Sequence, residues 1–568
     1  MKNPQALLEN EIILSKDQEI LDLKNKIEEM KLLLRYYEEQ FLLSRRKLFG
    51  SSSEKSNYDG QITLAEALDE YEGPDVDIDS LCGLAEHDDE HYNEYEEQNT
   101  HVPRCKKRTR KEGFPKDVPV QEVIYELTEE ERMCPSCDAT AQPFGSEYRE
   151  ELVVVPARIE VRRHVARKYI CRQCQGEDHP AEILKADMPE PVIRRSFASP
   201  EAIAHTAYQK FVLGVPLYRQ EKDWERKGVM LSRQTLANWL ITVSKDYLNP
   251  LFKELKRQFL EQDIGHADET TFQVLREEGR AAQSKSYLWL YKTSIHTENP
   301  IVLAEYKPSR EHLTPAVFLD GFKGFLHTDG YDAYHKLPED VVVVGCWAHV
   351  RRKWDEALKV IKNPMDREGT YELKGKKYCD KLFSIEKKLA SLAVKDRHMA
   401  RKRHENQKDL DSMMSTNSAN TNDAPKAMND TLESVMDEFF EWAYTVRTVP
   451  KSALGRAIKY TLSQKKYLKN VLMDGRLELS NNCAERAIRP FVISRKNFLF
   501  ANTPNGASAA ATIFSLIETA KAINIDPFEY LAYVFKTAPN LNMKRLEDIK
   551  LLLPAGYKKI ACNTSSRV

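Results

Sequence analysis

The sequence predicts a multidomain α/β protein, and three observations support that prediction. The chain has 568 residues, whereas a single hydrophobic core stops growing at roughly 250 to 300 residues, so about three or four domains are expected. Short β-rich runs alternate with helical patterns after residue 261, which is typical of an α/β core. Apolar residues recur with heptad spacing near the N-terminus, which predicts a separate helical element.

The composition excludes a fibre or a wholly disordered chain, and the charge is segregated. Apolar residues make up 41% and charged residues 30% of the chain, with a formal net charge of −2. Residues 57–103 contain no Lys or Arg, whereas basic residues cluster at 104–111. Neither a signal peptide nor a run of 18 apolar residues is recognised. We therefore expect a cytoplasmic protein with no membrane contact.

Residues 1–50 predict a coiled coil. The heptad positions are Ile13, Ile20, Ile27, Leu34, Phe41 and Leu48, with Leu23, Met30 and Tyr37 three residues after members of that series. This a/d pattern over about five heptads indicates a homo-oligomer, and the alternative is one long helix packed on its own chain. Residues 51–115 follow as a mostly disordered acidic linker and a basic arm. The arm either contacts phosphates or is a solvated charge run.

Two CxxC pairs predict a zinc ribbon over residues 116–185. The ligands would be Cys134, Cys137, Cys171 and Cys174. Each short arc brings two sulfurs to one Zn²⁺ ion, and strand-like runs at 152–155 and 159–170 can form a hairpin between the pairs. Four thiolates leave no open position, so this zinc would be structural. The alternative is four unrelated buried cysteines.

Residues 186–260 predict a helical module with the spacing of a helix-turn-helix. Helical patterns cover residues 199–212 and 216–227, and Ser232 can cap a third helix. The outer side of this third helix carries Arg233, Gln234 and Asn238, which become candidates for reading DNA bases. Three packed helices are also common inside larger enzymes, so a structural role stays open.

The β-rich runs cover residues 262–267, 286–293, 301–306, 324–328 and 341–346. Three strands joined by short turns, followed by strand–helix–strand alternation, is the order of a ribonuclease-H-like core. We assign the core to residues 261–362 and 451–535, the helical insertion to 363–450 and the C-terminal tail to 536–568. Residues 415–426 predict a flexible loop within the insertion.

Asp268 ends the first β-rich run and Asp329 ends the fourth, so this order of strands makes the two acids neighbours. Carboxylates are preferred ligands of Mg²⁺, and a third is needed to hold two ions astride a phosphate. The best downstream candidate is Glu485, on a short helix that Ser480 or Asn481 would cap and Pro490 would stop. The nearest rivals of the two aspartates are Glu269 and Asp332.

Several basic residues lie near these acids in the sequence and are candidates for contacting DNA phosphates. They are Arg351, Arg352, Lys353, Arg486, Arg489, Arg495 and Lys496. Taken alone, Glu485 and Arg489 have the spacing of a surface salt bridge. Cys346 and His349 have CxxH spacing without a second half nearby, which favours a structural role. His266 and His327 each share a strand face with an aspartate and either tune it or simply pack.

These motifs also occur together in a known family. They are residues 45–50 and 52–55, the paired CxxC motifs, and residues 214–219, 266–270, 327–334, 346–353 and 481–500. Over about residues 1–555 the chain resembles the insertion-sequence-66 family of bacterial transposases. The resemblance places the family's DDE triad on Asp268, Asp329 and Glu485.

The resemblance further implies a ribonuclease-H-like fold and catalysis that depends on Mg²⁺ or Mn²⁺. The expected substrate is double-stranded DNA, cut at the terminal inverted repeats of an insertion sequence and joined to target DNA. The expected setting is the bacterial nucleoid, with small accessory proteins of the same element as further partners. Two alternatives stay open: a non-catalytic DNA-binding protein derived from a transposase, and another ribonuclease-H-like nuclease.

Overall fold

A computed structural model of the chain describes scattered residues from 16 to 41 and residues 159–170, 183–185, 187–311, 313–361, 363–402 and 430–565. The chain divides into two units, one of residues 1–61 and 164–568 and one of residues 62–163. The second unit is described only at residues 159–163, which have no regular secondary structure. Among the described residues, no helix is long and apolar enough to cross a membrane.

The described residues between 16 and 41 are helical. Their heptad positions are exposed: Ile20, Leu23, Ile27, Met30, Leu34, Tyr37 and Phe41. An apolar seam that a single chain leaves in solvent is what a coiled coil buries against a second helix. The exposed seam therefore agrees with self-association through this helix.

Two short strands, β1 (Lys168–Ile170) and β2 (Ile183–Lys185), pair antiparallel. The predicted strand over 159–170 is wrong for residues 159–167, which are irregular. The ladder between β1 and β2 spans only three residue pairs, so pairing supports a strand only at the end of that run. The four cysteines and residues 152–155 lie outside the described residues.

The three predicted helices of the 186–260 segment are confirmed as α1 (Pro200–Phe211), α2 (Leu217–Arg226) and α3 (Arg233–Val243). Ser199 caps α1 and Ser232 caps α3, because each side chain accepts a hydrogen bond from a backbone N–H in the first turn. A π-helical turn (Ser244–Leu248) then leads into α4 (Asn249–Leu260).

All five predicted strands of the central sheet are present. They are β3 (Ile264–Thr271), β4 (Tyr287–Thr293), β5 (Val302–Lys307), β6 (Gly324–Thr328) and β7 (Val341–Gly345). The strand order is β5-β4-β3-β6-β7, with β3, β4 and β5 antiparallel and with β6 and β7 parallel to β3. A short helix, α5 (Leu313–Phe318), lies between β5 and β6 in the chain.

The first strand is longer than predicted, and Asp268 lies inside it rather than at its end. Pairing with β4 continues to Thr271↔Tyr287, so β3 stays extended on that side. Pairing with β6 stops at His266↔His327. Relative to its parallel neighbour β6, Asp268 therefore lies just beyond the end of the ladder.

A set of helices follows the sheet. They are α6 (Trp347–Lys359), α7 (Tyr371–Leu389), α8 (Val394–Arg401), α9 (Leu432–Thr445), α10 (Ala453–Ser463) and α11 (Lys465–Lys469). They share a hydrophobic cluster that contains Trp347, Trp354 and Phe439. Trp354 also donates its indole N–H to Thr461 Oγ1 at 3.0 Å, so α6 and α10 are joined inside this cluster. The predicted loop at 415–426 lies outside the described residues.

The helix that carries Glu485 is α12 (Asn482–Phe498), and it runs through Pro490 instead of stopping there. Proline removes one backbone hydrogen bond, but Ile488 and Phe491 on either side are buried. Burial of this face therefore maintains the helix across the missing bond. The remaining helices are α13 (Pro504–Ala522), α14 (Pro527–Thr537), α15 (Leu546–Leu552) and α16 (Pro554–Ser565).

The edge strand β5 is covered by α13. The backbone N–H of Ala304 donates to Ser515 Oγ at 2.7 Å, and that of Val302 donates to Thr519 Oγ1 at 3.0 Å. Unpaired groups at a sheet edge invite pairing with another chain. Here helix hydroxyl groups satisfy them.

Candidate carboxylate site

The two aspartates are brought together by the parallel pairing of β3 and β6. His266 is opposite His327 in the register, and each aspartate follows its histidine by two residues. Side chains two residues apart on a strand point to the same face. Asp268 and Asp329 therefore lie side by side where the two strands separate.

Asn481 connects this strand pair to the helix that carries the third acid. Its amide nitrogen donates to the carbonyl of Ala267 at 2.8 Å, and its amide oxygen is 3.1 Å from His266 Nδ1. Its backbone N–H donates to Cys346 Sγ at 3.2 Å. The sequence predicted that this side chain could cap α12. Instead, the side chain attaches the start of α12 to β3.

This attachment brings Glu485, in the first turn of α12, to the two aspartates. Burial raises the pKa of Asp268 well above its usual value, and the nearby carboxylates of Glu269, Glu485 and Asp329 raise it further. A carboxyl group whose pKa is raised by burial and by neighbouring carboxylates lacks compensating positive charge. A hard divalent cation supplies that charge and takes oxygen ligands. The three acids therefore fit Mg²⁺ by their chemistry and their proximity.

Glu485 also faces two cationic or titratable side chains of α6. Arg352 Nη2 is 3.4 Å from Glu485 Oε2, and His349 Nδ1 is 3.6 Å from Glu485 Oε1. The first is a long hydrogen bond, and the second exceeds normal hydrogen-bond distance. Glu485 thus contacts α6 on one side, but neither of these two contacts is short.

The surroundings of the two rival acids make them less suited to bind a metal ion. The Glu269 carboxylate is only 2% exposed, forms an ion pair with Arg310 and accepts a hydrogen bond from the Tyr334 hydroxyl at 2.6 Å. The side chain of Asp332 is 82% exposed, and its cationic neighbours His335 and Lys336 are 3.7 and 4.0 Å away. Glu269 already has a cationic partner, and Asp332 is in solvent. Sequence reasoning missed Arg310 and Tyr334 because they lie far from Glu269 along the chain.

His266 and His327 are buried and stacked, with ring centroids 4.5 Å apart and planes within 10°. Burial lowers the pKa of His266 to about 4, and burial lowers that of His327 well below its usual value. Both rings are therefore neutral at physiological pH. They act as packed supports, since His266 contacts Asn481 and His327 Nε2 accepts the backbone N–H of Glu478 at 3.4 Å.

The basic residues predicted on α6 have different surroundings. Arg351 is bound to Asp380 of α7 at 2.6 Å, so its charge is used within the protein. Lys353 pairs with Glu356 at 3.1 Å on the surface of the same helix. Of these three candidates, Arg352 is the one beside the carboxylates.

The basic residues predicted on α12 also separate into two groups. Arg495 donates to Thr270 Oγ1 at 3.1 Å and to Thr271 Oγ1 at 2.9 Å, so it fastens α12 to the end of β3. Arg486 and Lys496 are exposed, and Arg489 is half-buried. The exposed positions can reach an external phosphate backbone, whereas Arg495 is committed to the fold.

The candidate base-reading residues are all exposed on α3: Arg233, Gln234 and Asn238. Gln234 Nε2 donates to Asn238 Oδ1 at 2.9 Å. The opposite face of α3 is buried through Leu236, Trp239 and Leu240. The helix therefore has one packed face and one polar face that is open to a partner.

An Asn481→Ala variant is expected to lower the free energy of unfolding by about 2 kcal/mol. The substitution leaves the buried Ala267 carbonyl and the ring nitrogen of His266 without their partner, and an unsatisfied buried polar group costs about 1–3 kcal/mol. Thermal unfolding of both proteins measures the effect. The exposed Asn502→Ala substitution is the control, and equal melting temperatures for all three proteins would disprove the anchoring role.

An α/β fold that gathers carboxylates where its central strands separate is typical of enzymes that act on phosphate esters with divalent metal ions. A family described as the transposase IS66 family matches residues 195–509. Further matches are the zinc-finger binding domain of transposase IS66 at residues 131–175 and the IS66 C-terminal element at 515–555. A fourth, described as transposase C of IS166 homeodomain, matches residues 36–123. The chain belongs to the IS66 family of transposases.

Relatives in Sinorhizobium fredii match much of the chain. Uncharacterized protein y4qI is 29% identical over 410 residues, covering 68% of this chain and 67% of its own length. Uncharacterized protein y4jD is 28% identical over 459 residues, covering 78% and 82%. Uncharacterized protein y4hP is 25% identical over 540 residues, covering 92% and 88%. The similarity therefore extends well beyond the sheet.

The zinc-finger match spans all four cysteines of the predicted ribbon and supports zinc binding by this segment. Replacing Cys134 and Cys171 by Ser is expected to release one zinc ion per chain, because each CxxC arc loses a ligand. Metal analysis of the purified variant, with the buried Cys379→Ser variant as control, measures the change. Unchanged zinc content in the double variant would contradict the ligand assignment.

Proposed function

We propose that the chain is a DDE transposase that cuts double-stranded DNA at the terminal inverted repeats of an insertion sequence and joins it to target DNA. Asp268, Asp329 and Glu485 hold the catalytic Mg²⁺, or Mn²⁺, ions. The observation that carries the proposal is the gathering of these three carboxylates where β3 and β6 separate. Burial is the main cause of the raised pKa of Asp268, and Glu485 and Asp329 are near enough to contribute to it. Membership of the IS66 family supports this reaction class.

The sheet supports the same proposal. Three antiparallel strands with two further strands parallel to the first, in the order β5-β4-β3-β6-β7, are the arrangement expected of a ribonuclease-H-like core. In that arrangement the first and fourth strands of the sheet are neighbours. We retain the boundaries of the core at 261–362 and 451–535, of the insertion at 363–450 and of the tail at 536–568 as part of this proposal.

The chemistry consists of two phosphoryl transfers. Water first attacks a phosphorus atom at the element's end, and the bond to the leaving 3′ oxygen breaks. The resulting 3′-hydroxyl then attacks a target phosphorus, forming one phosphodiester and breaking another. When bound, the ions activate the attacking oxygen and stabilise the leaving one.

The protein's own residues orient the DNA and hold the charges. Asp268 lies on β3 and Asp329 immediately follows β6, so the pairing of these two strands positions both carboxylates. Glu485 completes the site from α12, and Arg352 of α6 balances part of the charge of Glu485. Arg486, Arg489 and Lys496 lie on the same helix and are suited to contact the phosphate backbone, which fixes the scissile bond at the carboxylates.

Recognition of the DNA end is assigned to α3. Replacing Arg233, Gln234 and Asn238 together by Ala is expected to weaken binding to the terminal repeat by at least tenfold, because a good base contact contributes about 1–3 kcal/mol. Binding to unrelated DNA should change much less. The comparison of the two affinities at one salt concentration tests the assignment. An equal loss on both DNAs would show phosphate contact only.

The partners follow from the same proposal. The exposed seam at residues such as Ile20, Leu23 and Ile27 is proposed to form the coiled coil of a homo-oligomer, which brings two DNA ends together. Small accessory proteins of the element and association with the nucleoid complete the proposed setting.

A strand-transfer assay tests the function. The purified chain is incubated with Mg²⁺, labelled DNA that carries the terminal repeat, and a target plasmid. Joined products that depend on the repeat support the proposal. Binding without any cleavage would indicate a non-catalytic derivative, and cleavage that ignores the repeat would indicate a different nuclease.

A further inference from the structure

Three potential metal ligands of different chemistry meet beside the carboxylate site. Cys346 immediately precedes α6, His349 lies one turn later on that helix, and Glu485 comes from the first turn of α12. A sulfur, a ring nitrogen and a carboxylate oxygen of these residues all lie within 4.8 Å of one another. The CxxH pair that had no second half nearby in the sequence therefore gains a third ligand from a residue far along the chain.

Two atoms of this group are buried without hydrogen-bond partners. They are His349 Nδ1 and Glu485 Oε1. They face each other at 3.6 Å, which is too far for a hydrogen bond. An unsatisfied buried polar atom is costly, and a cation between the two would satisfy both at once.

The protein already holds the sulfur ligand, Cys346, in place. Cys346 is 2% exposed, and its Sγ accepts the backbone N–H of Asn481 at 3.2 Å. Hydrogen bonds from the surrounding protein to a ligand atom are the usual support of metal sites. The same asparagine orients α12, so one residue connects the sulfur to the helix that carries Glu485.

We propose that Cys346, His349 and Glu485 form a site for a borderline-soft divalent cation, with Zn²⁺ as the natural occupant, and that occupancy holds Glu485 away from Asp268 and Asp329. Thiolate and imidazole ligands select zinc over magnesium. Three protein ligands leave the fourth tetrahedral position to water. This site is separate from the proposed zinc ribbon, which uses four other cysteines.

The regulatory consequence rests on the proposed function, whereas the binding does not. Glu485 would serve either the zinc site or the magnesium triad, because its carboxylate is shared between them. Zinc would therefore inhibit strand transfer at a fixed magnesium concentration. The exchange requires only a rotation of the Glu485 side chain between the two sites. This side chain is 24% exposed and contacts Arg352 at 3.4 Å.

The binding is tested by zinc analysis of the full-length protein. The His349→Gln and Cys346→Ser variants are each expected to hold one zinc ion fewer per chain than the wild type after equilibration with micromolar zinc. Cys379→Ser is the matched control, because it removes another buried free cysteine and should keep the wild-type zinc content. His349 is partly exposed, so its variant should fold even where the cysteine variant does not. Equal zinc content in wild type and His349→Gln would overturn the site.

The consequence is tested by titrating zinc into the strand-transfer reaction. We expect wild-type activity to fall as zinc rises, and the zinc concentration for half inhibition to increase at least tenfold in His349→Gln. Loss of the zinc ion from the variant with unchanged inhibition would overturn the withdrawal of Glu485. A wild type that transfers no strands even without zinc would contradict the proposed function, while the zinc analysis would still decide the site.

Discussion

A Glu485→Gln variant is expected to lose strand transfer by at least about a thousandfold while binding end-containing DNA within about threefold of the wild type. The amide keeps the size of the side chain but removes the charge that a divalent ion requires. Asp268→Asn and Asp329→Asn are expected to behave alike, because residues that act as a unit lose activity together. Product formation on labelled ends and an affinity measurement on the same DNA give the two readouts.

Asp332→Asn is the matched control for this series. Asp332 is three residues from Asp329, but its side chain is 82% exposed, so its loss should leave strand transfer within about twofold. Retained transfer by Glu485→Gln would remove Glu485 from the triad. A loss in Asp332→Asn equal to that in Asp329→Asn would show that the wrong acid of this segment was chosen.

An Arg401→Met variant is expected to lose about 3–5 kcal/mol of stability, because an unsatisfied buried polar group costs about 1–3 kcal/mol and three backbone carbonyls lose their donor. Glu386 keeps an ion pair with Arg397 in this variant. Arg401 is fully buried. It binds Glu386 at 2.5 Å and donates to the carbonyls of Val471, Asp474 and Leu477. The melting temperature should fall by several degrees or more.

The position of Arg401 links this stability to the site. The three carbonyls belong to the segment that leads directly into Asn481 and α12, so Arg401 fixes the approach to Glu485. Hydrogen exchange at residues 470–479 should therefore increase more than in the sheet. Arg545→Met, at a side chain that is 60% exposed, is the control and should change neither measurement. An unchanged melting temperature in Arg401→Met would show that the contacts of Arg401 contribute nothing net.

Local patterns were sufficient for most of the secondary structure. Each of the five predicted strands overlaps an observed one, and the predicted Ser232 cap is present. The errors occur where the end of a strand or helix depends on an element that packs against it. β3 extends past Asp268 because β4 continues alongside it, and α12 passes Pro490 because its buried face packs against the core. Neither β4 nor the core can be recognised from the residues around Asp268 or Pro490.

The candidate site divides in the same way. Asp268 and Asp329 could be selected from strand position, because the alternation of a strand is a local property. Glu485 depended on resemblance to a family, since its approach to the strands passes through Asn481, a residue more than 200 positions from His266. That hydrogen bond exists only once the sheet and α12 have packed.

The sequence by itself determined the family, most of the strands and helices, the paired cysteines and two of the three proposed carboxylates. Periodicity and spacing are properties of neighbouring residues and can be read along the chain. Only the tertiary structure decided that Glu269 is neutralised by Arg310, that Arg351 and Arg495 are committed to the fold, and that Glu485 meets both Asp268 and the Cys346–His349 pair. Those outcomes depend on which surfaces pack together, and packing joins residues that the sequence keeps far apart.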